Sequence, residues 1–495
     1  MELIKKLHEM RHRTGPSMTK GLEDSVISSF AAHDKDLSQG IDTAYTYFQA
    51  IEKEFGEKLK LPEAELITFL QNDFVNFYEA NSVNPYVAIH AQGPWVFTAH
   101  GAVLHDSGGY GMLGFGHAPK AVIDVMSGKQ VMANIMTANF SQKRITEKLK
   151  KEIGHTRKSR DGLFTKFLCL NSGSESVTVA ARIADLNAKK LTDPGARYHG
   201  RKIMMLSLKG SFHGRTERPA MASDSSAKSY QKLASFRNSH LTTVEINNIE
   251  SLRKVFKDAD ENKIFFEMML MEPVMGEGNP GVGVTREFYD EARKLSREHG
   301  ALLMMDSIQA GLRTQGVLSI VDYPGFETAE APDMETYSKA VNAGQYPLSI
   351  LALDDKAAAL YETGLYGNTM TTNPRALDVA CAVLDLVTPE LRKNIRERGV
   401  EFVKKFQDLK KEFPDAITDA TGTGLLCALH LKPEGYKVVG VEGVETWLRH
   451  NGIGVIHGGK NALRFTPHFR ITSTEIDLVM EKIRQALKRG PVYTK

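Results

Sequence analysis

The chain has 495 residues, of which 42% are hydrophobic and 25% charged, as is usual for a soluble globular protein with a large core. Its 63 basic and 60 acidic residues leave a net charge of +3 without a long run of one sign, which argues against a dedicated nucleic-acid-binding protein. The first residues carry charge but no apolar core, and no stretch approaches the roughly 20 apolar residues of a membrane span. We therefore expect neither a secretory signal nor a membrane anchor.

Three cysteines, Cys169, Cys381 and Cys427, stand far apart and form no CxxC pair. Their odd number and their spacing fit neither a zinc site nor a disulfide framework. We expect buried free thiols in a reducing cytoplasm, and no bound metal.

The pattern of elements changes twice along the chain. Residues 1–80 are charged and helix-like, whereas residues 85–118 are rich in Gly and aromatic residues and predict short strands and turns. From about residue 160, short apolar runs alternate with helical segments, which is typical of a parallel sheet covered on both faces. The runs are FTKFLCL, KIMMLSL, FFEMMLME, ALLMMD, METYSK and YPLSILAL.

Several helix ends can be read from capping residues. Thr285 is a candidate N-cap of a surface helix that stops at Gly300. A long helix begins after Pro374, and Thr472 with Glu475 forms a capping box at the start of the last helix.

These elements predict three parts in the chain. Residues 1–90 form an N-terminal helical extension. Residues 91–374 form a large α/β domain, whose N-terminal segment also contributes to the small domain. Residues 375–495 form that smaller α+β domain.

Ligands of a parallel α/β sheet bind beyond the carboxyl ends of its strands, so the residues after each run are site candidates. Gly173 and Ser174 open a helix whose free N–H groups attract an anion such as a phosphate, or they form a well-capped turn. Phe212 could stack on a flat ring or pack in the core. Arg215 suits a substrate carboxylate or is merely solvated.

Two further runs end in an acid, Glu272 and Asp306, and Gln309 follows closely. A carboxylate at the end of a buried strand needs either a neighbouring side chain or a cationic ligand atom, such as a protonated ring nitrogen. Lys339 lies one strand further on in an apolar segment, where its charge must be compensated. The ordered set of anion-binding turn, aromatic ring, strand-end acid and lysine predicts a site for pyridoxal phosphate.

From about residue 90 to residue 490, the chain resembles the class-III (ornithine- or GABA-type) aminotransferases, pyridoxal phosphate enzymes of fold type I. The matching segments occur in family order and are NSGSES, SFHGRT, MEPVMGEG, DSIQAG, YSKAVNAGQYPLSI, GNTMTTNPRAL and LRFTPHFRIT. The resemblance implies a large α/β domain on a mainly parallel seven-stranded sheet and a smaller α+β domain. It also implies a cytoplasmic transferase of nitrogenous groups that forms a homodimer with shared active sites.

The resemblance implies two catalytic residues. Lys339 would bind the cofactor as a Schiff base and, once freed, act as the general base, while Asp306 would keep the pyridine nitrogen protonated. The remaining implied cofactor contacts are Gly173 and Ser174 at the phosphate, Phe212 at the ring face, Gln309 at the phenolic oxygen, Glu272 in support of Gln309 and Asp306, and Thr369 at the phosphate of a neighbouring subunit's cofactor.

Three residues are implied to bind substrates. Glu277 would pair with Arg464 while an amine without a nearby α-carboxylate is bound, and would swing away when 2-oxoglutarate needs the arginine. Arg215 would take the other carboxylate of this keto-acid acceptor. The predicted reaction thus moves an amino group from an ω-amino acid or a terminal amine to 2-oxoglutarate.

The chain departs from the family pattern in several places. Ser307 replaces the usual acid after Asp306, and the usual small residue after Glu175 is missing. The loops VNAGQYP and TMTTNP contain fewer glycines than the family loops.

Other functions are compatible with the same scaffold. An epimerase, an aminomutase or a decarboxylase would use the same cofactor, but retention of Glu277 and Arg464 favours transamination. A non-catalytic protein of this fold would have no reason to keep a costly buried Lys339. No GxSxG elbow accompanies a candidate His and Asp, which argues against a serine hydrolase.

Overall fold

The computed structural model describes residues 2–237 and 240–492. Within these residues, contacts between residues separate two compact units. The first unit contains the described residues up to 119 together with those from 397 onward, and the second contains residues 120–396. The boundaries predicted at residues 90 and 374 do not coincide with these limits, and the three predicted parts stay a prediction.

The strands of the described residues form one sheet of seven strands and two sheets of four. In chain order they are β1 (Ala88–Gln92), β2 (Trp95–Thr98), β3 (Val103–Asp106), β4 (Lys166–Leu170), β5 (Lys202–Leu208), β6 (Leu241–Val244), β7 (Ile264–Met271), β8 (Leu302–Asp306), β9 (Met334–Tyr337), β10 (Ser349–Leu353), β11 (Ile417–Thr423), β12 (Leu426–Leu431), β13 (Ile453–Gly454), β14 (Ile456–Gly458) and β15 (Ala462–Phe465).

Helices precede, separate and follow these strands. In chain order they are α1 (Glu2–Arg13), α2 (Asp24–Ala31), α3 (Lys35–Phe55), α4 (Glu63–Gln71), α5 (Lys120–Met126), α6 (Phe140–Glu152), α7 (Gly173–Thr192), α8 (Glu217–Ala222), α9 (Ala227–Tyr230), α10 (Ile249–Glu261), α11 (Arg286–His299), α12 (Asp355–Leu360), α13 (Pro374–Asp385), α14 (Pro389–Glu412), α15 (Val444–His450) and α16 (Ser473–Lys488).

The seven-stranded sheet of the second unit has the order β4-β10-β9-β8-β7-β5-β6. Strands β5 to β9 pair in parallel, whereas β10 is antiparallel to both β4 and β9. Strand β4 therefore runs in the same direction as β9, and six of the seven strands end at one edge. The predicted mainly parallel seven-stranded sheet is confirmed.

The core of the second unit explains why its strands are almost continuously apolar. Every residue of β8, β9 and β10 is buried. Helix α7 packs its buried Val177, Ala180 and Ala184 against Met268 and Met304 of the sheet. Since burying a large aliphatic side chain stabilises a protein by about 1.5–3 kcal/mol, this layer holds the strand ends in fixed positions.

The helix ends follow the predicted caps. Thr285 Oγ accepts the N–H of Phe288 at 3.3 Å, and Gly300 ends α11 in the left-handed region with φ 75°. Thr472 and Glu475 form the reciprocal capping box of α16. These predictions are confirmed because capping depends on neighbouring residues alone.

The first unit contains the two smaller sheets, of order β1-β2-β3-β13 and β11-β12-β15-β14. The predicted N-terminal helices are present; α1 packs against α3, and α3 packs against β1 and β2 of the first of these sheets. Trp95 donates a hydrogen bond to Asp34, the N-cap of α3, at 2.7 Å. The aromatic rings of Phe402, Phe406 and Phe465 form a core between α14 and β15.

The cysteines and the hydropathy of the helices can also be compared with the sequence analysis. All three cysteines are buried and free, as predicted. Within residues 2–237 and 240–492, no helix has both the length and the hydropathy that a membrane crossing requires.

Candidate active site

Most predicted site residues of the second unit follow the carboxyl ends of its parallel strands. Asp306 ends β8, Glu272 follows β7, and Phe212, Lys339 and Gly173 lie in the loops or turns after β5, β9 and β4. Because these strands run in one direction, the five segments meet at a single edge of the sheet.

Asp306 is buried and held by two hydrogen bonds. Its Oδ2 lies 2.8 Å from Nδ1 of His213, and its Oδ1 accepts the N–H of Ile308 at 3.1 Å. The backbone N–H of His213 donates to Ser223 Oγ at 2.8 Å, which fixes the position of the imidazole. No role was predicted for His213, although its place beside Phe212 in the FHG segment was a signal.

Glu272 connects the loops after β7 and β5. Its two oxygens accept the N–H groups of Phe212, at 3.0 Å, and of Gly276, at 2.8 Å. Burial raises the pKa of Glu272 to about 7, against the opposing influence of His213 and with a further increase from Asp306. Glu272 therefore positions the loop that carries Phe212, the predicted ring-stacking residue.

Lys339 is half-buried, and its Nζ donates a hydrogen bond to Gln309 Oε1. Its φ of 36° lies in the left-handed region, which is strained for a residue with a side chain and is often found at functional sites. The turn is held by Ser338 and Asn342, which donate to the carbonyl of Leu348 at 2.7 and 3.0 Å.

Gln309 is buried, and its Nε2 has no hydrogen-bond partner in the described part of the chain. The side chain packs closely on Gly276, where an added Cβ would come within 2.9 Å of Gln309 Cγ. A buried amide donor beside the amine of Lys339 can satisfy an acceptor atom of a ligand.

The predicted phosphate-binding turn opens α7, with Ser172 as the N-cap. Ser174 Oγ accepts the backbone N–H groups of Arg215, at 2.9 Å, and of Thr216, at 3.4 Å. The hydroxyl hydrogen of Ser174 is left to donate to an anion, together with the free N–H groups of the helix terminus. The turns after β4 and β5 thus form one cradle.

The remaining predicted residues are more dispersed. Arg215 is exposed, with its guanidinium carbon 5.4 Å from the centre of the Phe212 ring. Thr369 is exposed, and Glu277 is half-buried. Arg464 is buried in β15 of the first unit. The roles of all these residues, including the pairing of Glu277 with Arg464, stay predictions.

Ser307 stands where the family usually has an acid after Asp306, and the neighbouring strand β9 carries an acid, Glu335, that contacts it. Ser307 Oγ donates to Glu335 Oε1 of β9 at 2.5 Å, and Glu335 also accepts from Ser319 Oγ and from the N–H of Ile320. Burial raises the pKa of Glu335 to about 7. Glu335 was not among the predicted site residues, although a lone acid in the apolar METY strand was a signal.

We predict that Glu335 makes stability depend on pH. A carboxyl group with a raised folded-state pKa stabilises the fold fully below its ordinary pKa, and this contribution is lost as the pH rises towards 7. Between about pH 4.5 and 7, the free energy of unfolding of the wild type should fall by up to roughly 3 kcal/mol because of Glu335, and the Glu335→Gln variant should not show this fall. Urea unfolding at the two pH values measures the difference.

The control for this prediction is Glu291→Gln. Glu291 has a lowered pKa, caused first by its hydrogen bond with Arg253. This variant should keep the wild-type loss of stability towards pH 7. A Glu335→Gln protein that loses as much stability as the wild type would contradict the prediction.

Comparisons with known proteins agree with this geometry. A family model for class-III aminotransferases matches residues 77–487. An ornithine aminotransferase of Staphylococcus carnosus is 28% identical over 405 residues, which cover 81% of this chain and 94% of that protein. An acetylornithine aminotransferase of Mesorhizobium japonicum is 26% identical over 426 residues, which cover 83% of this chain and 96% of that protein.

Solved structures show the same fold. The ornithine aminotransferase of Toxoplasma gondii superimposes with a TM-score of 0.73 at 22% identity, covering 88% of this chain and 98% of that one. The acetylornithine aminotransferase of Elizabethkingia anophelis gives a TM-score of 0.68 at 20% identity, covering 86% of this chain and 100% of that one.

Proposed function

The chain belongs to the class-III aminotransferases, fold-type-I enzymes that use pyridoxal phosphate, and from this premise we propose that it moves an amino group from an ω-amino acid or a terminal amine to 2-oxoglutarate. The observation that carries the proposal is the half-buried amine of Lys339, on a strained turn beside Gln309 and at the sheet edge that also bears Asp306. The donor class is supported by the relatives, which are named for ornithine and acetylornithine, both of which carry a terminal amine.

The described residues fit pyridoxal phosphate. The buried Gln309 Nε2 needs an acceptor, as the phenolic oxygen of the cofactor would provide, and the cradle around Ser174 offers donors to a phosphate. Lys339 would hold the aldehyde carbon as a Schiff base, Asp306 would face the ring nitrogen, and Phe212 would cover the ring. When bound, the cofactor supplies an electron sink for the substrate carbon that loses a proton.

Lys339 would perform the proton transfer. A free, neutral ε-amine can take a proton from the substrate carbon and return it at another atom, which general base catalysis requires. Gln309 holds this amine through its Oε1, so the nitrogen is oriented before a substrate arrives. Preorientation of this kind lowers the entropic cost of reaching the transition state.

Asp306 would stabilise positive charge on the cofactor ring. It is buried, so its negative charge acts in a medium of low dielectric constant, where its attraction for a cation is stronger than in water. His213 keeps the carboxylate in one orientation through the contact of 2.8 Å. Arg215 and Arg464 would bind the carboxylates of the acceptor, and Glu277 would pair with Arg464 while no carboxylate occupies it.

The visible absorbance of the purified, cofactor-loaded protein tests the proposal. Terminal amines are added without a keto acid, and 2-oxoglutarate is added afterwards. A band that disappears with one amine and returns with 2-oxoglutarate supports the proposal and identifies the donor class. A band that shifts without bleaching would indicate an epimerase or a decarboxylase instead.

We predict that Gly214→Ala weakens cofactor binding by about tenfold or more. An added Cβ at Gly214 would lie 2.0 Å from Ser174 Oγ, and the φ of 125° is unfavourable for alanine, so the cradle must deform. Losing one hydrogen bond from the cradle costs about 1.4 kcal/mol, or a factor of ten. Titration of cofactor-free enzyme with pyridoxal phosphate, followed by absorbance, measures the change.

The matched control is Gly195→Ala. Gly195 also has a positive φ, of 86°, but an added Cβ there meets nothing within 4 Å. This variant carries comparable backbone strain without the clash and should bind the cofactor as the wild type does. Equal affinities of both variants would contradict the prediction.

We further propose a homodimer, on the basis of exposed apolar side chains. Val131, Ile135, Met136 and Phe140 of the second unit are 56%, 66%, 86% and 80% exposed, which is unusual for a contiguous segment of a monomer. A second copy covering this segment would also agree with the predicted role of the exposed Thr369 towards a neighbouring subunit's cofactor.

The dimer leads to a prediction for Met136→Lys. The variant should dissociate into monomers more readily than the wild type, with a dissociation constant at least tenfold higher. The substitution removes an apolar contact from the covered segment and leaves an unpaired cation there. Analytical ultracentrifugation measures this shift. Val400, which is 72% exposed on α14, provides the control Val400→Lys, which should leave the assembly unchanged. A monomeric wild-type protein would refute the proposal.

A further inference from the structure

Three potential metal ligands converge in the first unit, whereas the residues assigned to the cofactor belong to the second. His105 belongs to β3, His468 to the segment between β15 and α16, and Glu475 to the first turn of α16. One nitrogen of each histidine and a carboxylate oxygen all lie within 4.8 Å of one another. His105 and Glu475 are buried and His468 is half-buried.

Two short contacts join the three atoms. Oε1 of Glu475 lies 3.1 Å from Nε2 of His105 and 2.8 Å from Nε2 of His468. Ligands about 2.0–2.1 Å from a tetrahedral zinc ion are roughly 3.3 Å apart, so movements of a few tenths of an ångström would accommodate an ion.

The outward-facing atoms of two ligands already have fixed partners. Nδ1 of His105 lies 2.9 Å from Ser107 Oγ, and Oε2 of Glu475 accepts the N–H and the hydroxyl of Thr472, both at 2.7 Å. Metal-binding residues are characteristically oriented in this way by hydrogen bonds to their other polar atoms. An ion at this place would replace the contacts that Nε2 of His105 and Nε2 of His468 make with Oε1 of Glu475.

The charges also favour a cation. The carboxylate of Glu475 is buried and, among the described residues, contacts only the two imidazoles through Oε1, and a buried carboxylate needs a compensating positive charge. Either a proton shared with the histidines or a metal ion can supply that charge.

We propose that His105, His468 and Glu475 bind a divalent transition-metal ion of the zinc class, with water completing its coordination. Two imidazoles and one carboxylate are ligands that such ions prefer, and the half-buried His468 leaves a route for entry. The ion fastens β3 and the segment after β15 to α16, and its role is structural. The expectation of no metal rested on the cysteines, whereas these ligands come from distant parts of the sequence.

Zinc binding to the cofactor-loaded enzyme tests the proposal. The protein is treated with a chelator, dialysed against graded Zn²⁺ concentrations, and analysed for zinc per chain. The wild type should bind one zinc ion. His468→Gln should bind it at least about 100-fold more weakly, since losing a group that merely orients a ligand already costs about 10- to 100-fold.

A second variant separates metal binding from folding. Glu475→Gln keeps the capping box, in which glutamine substitutes for glutamate, but removes the charged ligand. Zinc at a hundredfold excess over its dissociation constant should raise the melting temperature of the wild type by roughly 3 °C or more. The Glu475→Gln protein should fold and show no such rise.

The control is His457→Gln, which removes a histidine that faces a single buried carboxylate, Glu445, at 2.9 Å. It should retain zinc as the wild type does. A wild type that binds zinc no more tightly than His468→Gln would overturn the proposal, and so would equal loss of zinc from His457→Gln. In either case the cluster holds a proton instead.

Discussion

Replacing Lys339 with alanine is expected to lower kcat by roughly 10⁴-fold, the upper end of what general acid–base catalysis contributes. The variant would lose both the covalent attachment of the cofactor and the amine that moves the proton. Steady-state rates with a terminal amine and 2-oxoglutarate measure the loss of proton transfer. Retention of pyridoxal phosphate during dialysis measures the loss of covalent attachment, and should be lower than in the wild type.

A lysine at the same sheet edge provides the control. Lys209 follows β5, is exposed and pairs with Glu245 at 2.6 Å, so Lys209→Ala should keep wild-type rates. An added small primary amine should partly restore proton transfer in the Lys339→Ala enzyme. A Lys339→Ala enzyme whose kcat stays within tenfold of the wild type would exclude Lys339 as the catalytic base.

Asp306→Asn should lower kcat by about 10²- to 10³-fold, as when one preorganised electrostatic contact is removed from an active site. Asparagine has the shape of aspartate, and its amide oxygen can still accept the N–H of Ile308. The variant therefore removes the negative charge while preserving the local packing. Single-turnover rates of the first half-reaction isolate this effect from product release.

Asp354→Asn is the matched control. Asp354 also follows a strand directly, but β10 is antiparallel, so it lies at the opposite edge of the sheet. Its carboxylate caps α12 by accepting the N–H of Ala357 at 2.7 Å, which asparagine does equally well. If Asp306→Asn were as active as Asp354→Asn, the charge of Asp306 would have no part in catalysis.

Features that depend on neighbouring residues could be predicted from the sequence. The runs KIMMLSL and ALLMMD correspond to β5 and β8 within one residue, because continuous apolar stretches between helices are buried on both faces. Thr285, Gly300 and the capping box of α16 also follow local rules. The candidate site residues of the second unit were found because chemistry-bearing side chains follow such strands.

Features that depend on distant partners could not be predicted. The run that forms β10 looks the same whether it pairs in parallel or antiparallel fashion, and β6 is too short and too polar to stand out. The contact of His213 with Asp306 joins loops after different strands. Nothing local indicates that Glu335 would pair with Ser307 across two strands.

The first unit is built from both ends of the sequence, and this affects how the protein is made. Strand β3 pairs with β13 at His105 and Ile453, and closing so long a loop in an unfolded chain costs roughly 5 kcal/mol of entropy. During synthesis, residues 1–119 leave the ribosome long before this partner exists, whereas the second unit is continuous in sequence. Until β13 has been synthesised, β3 has an open edge, so a chain that stops before β13 is a candidate for aggregation or capture by chaperones.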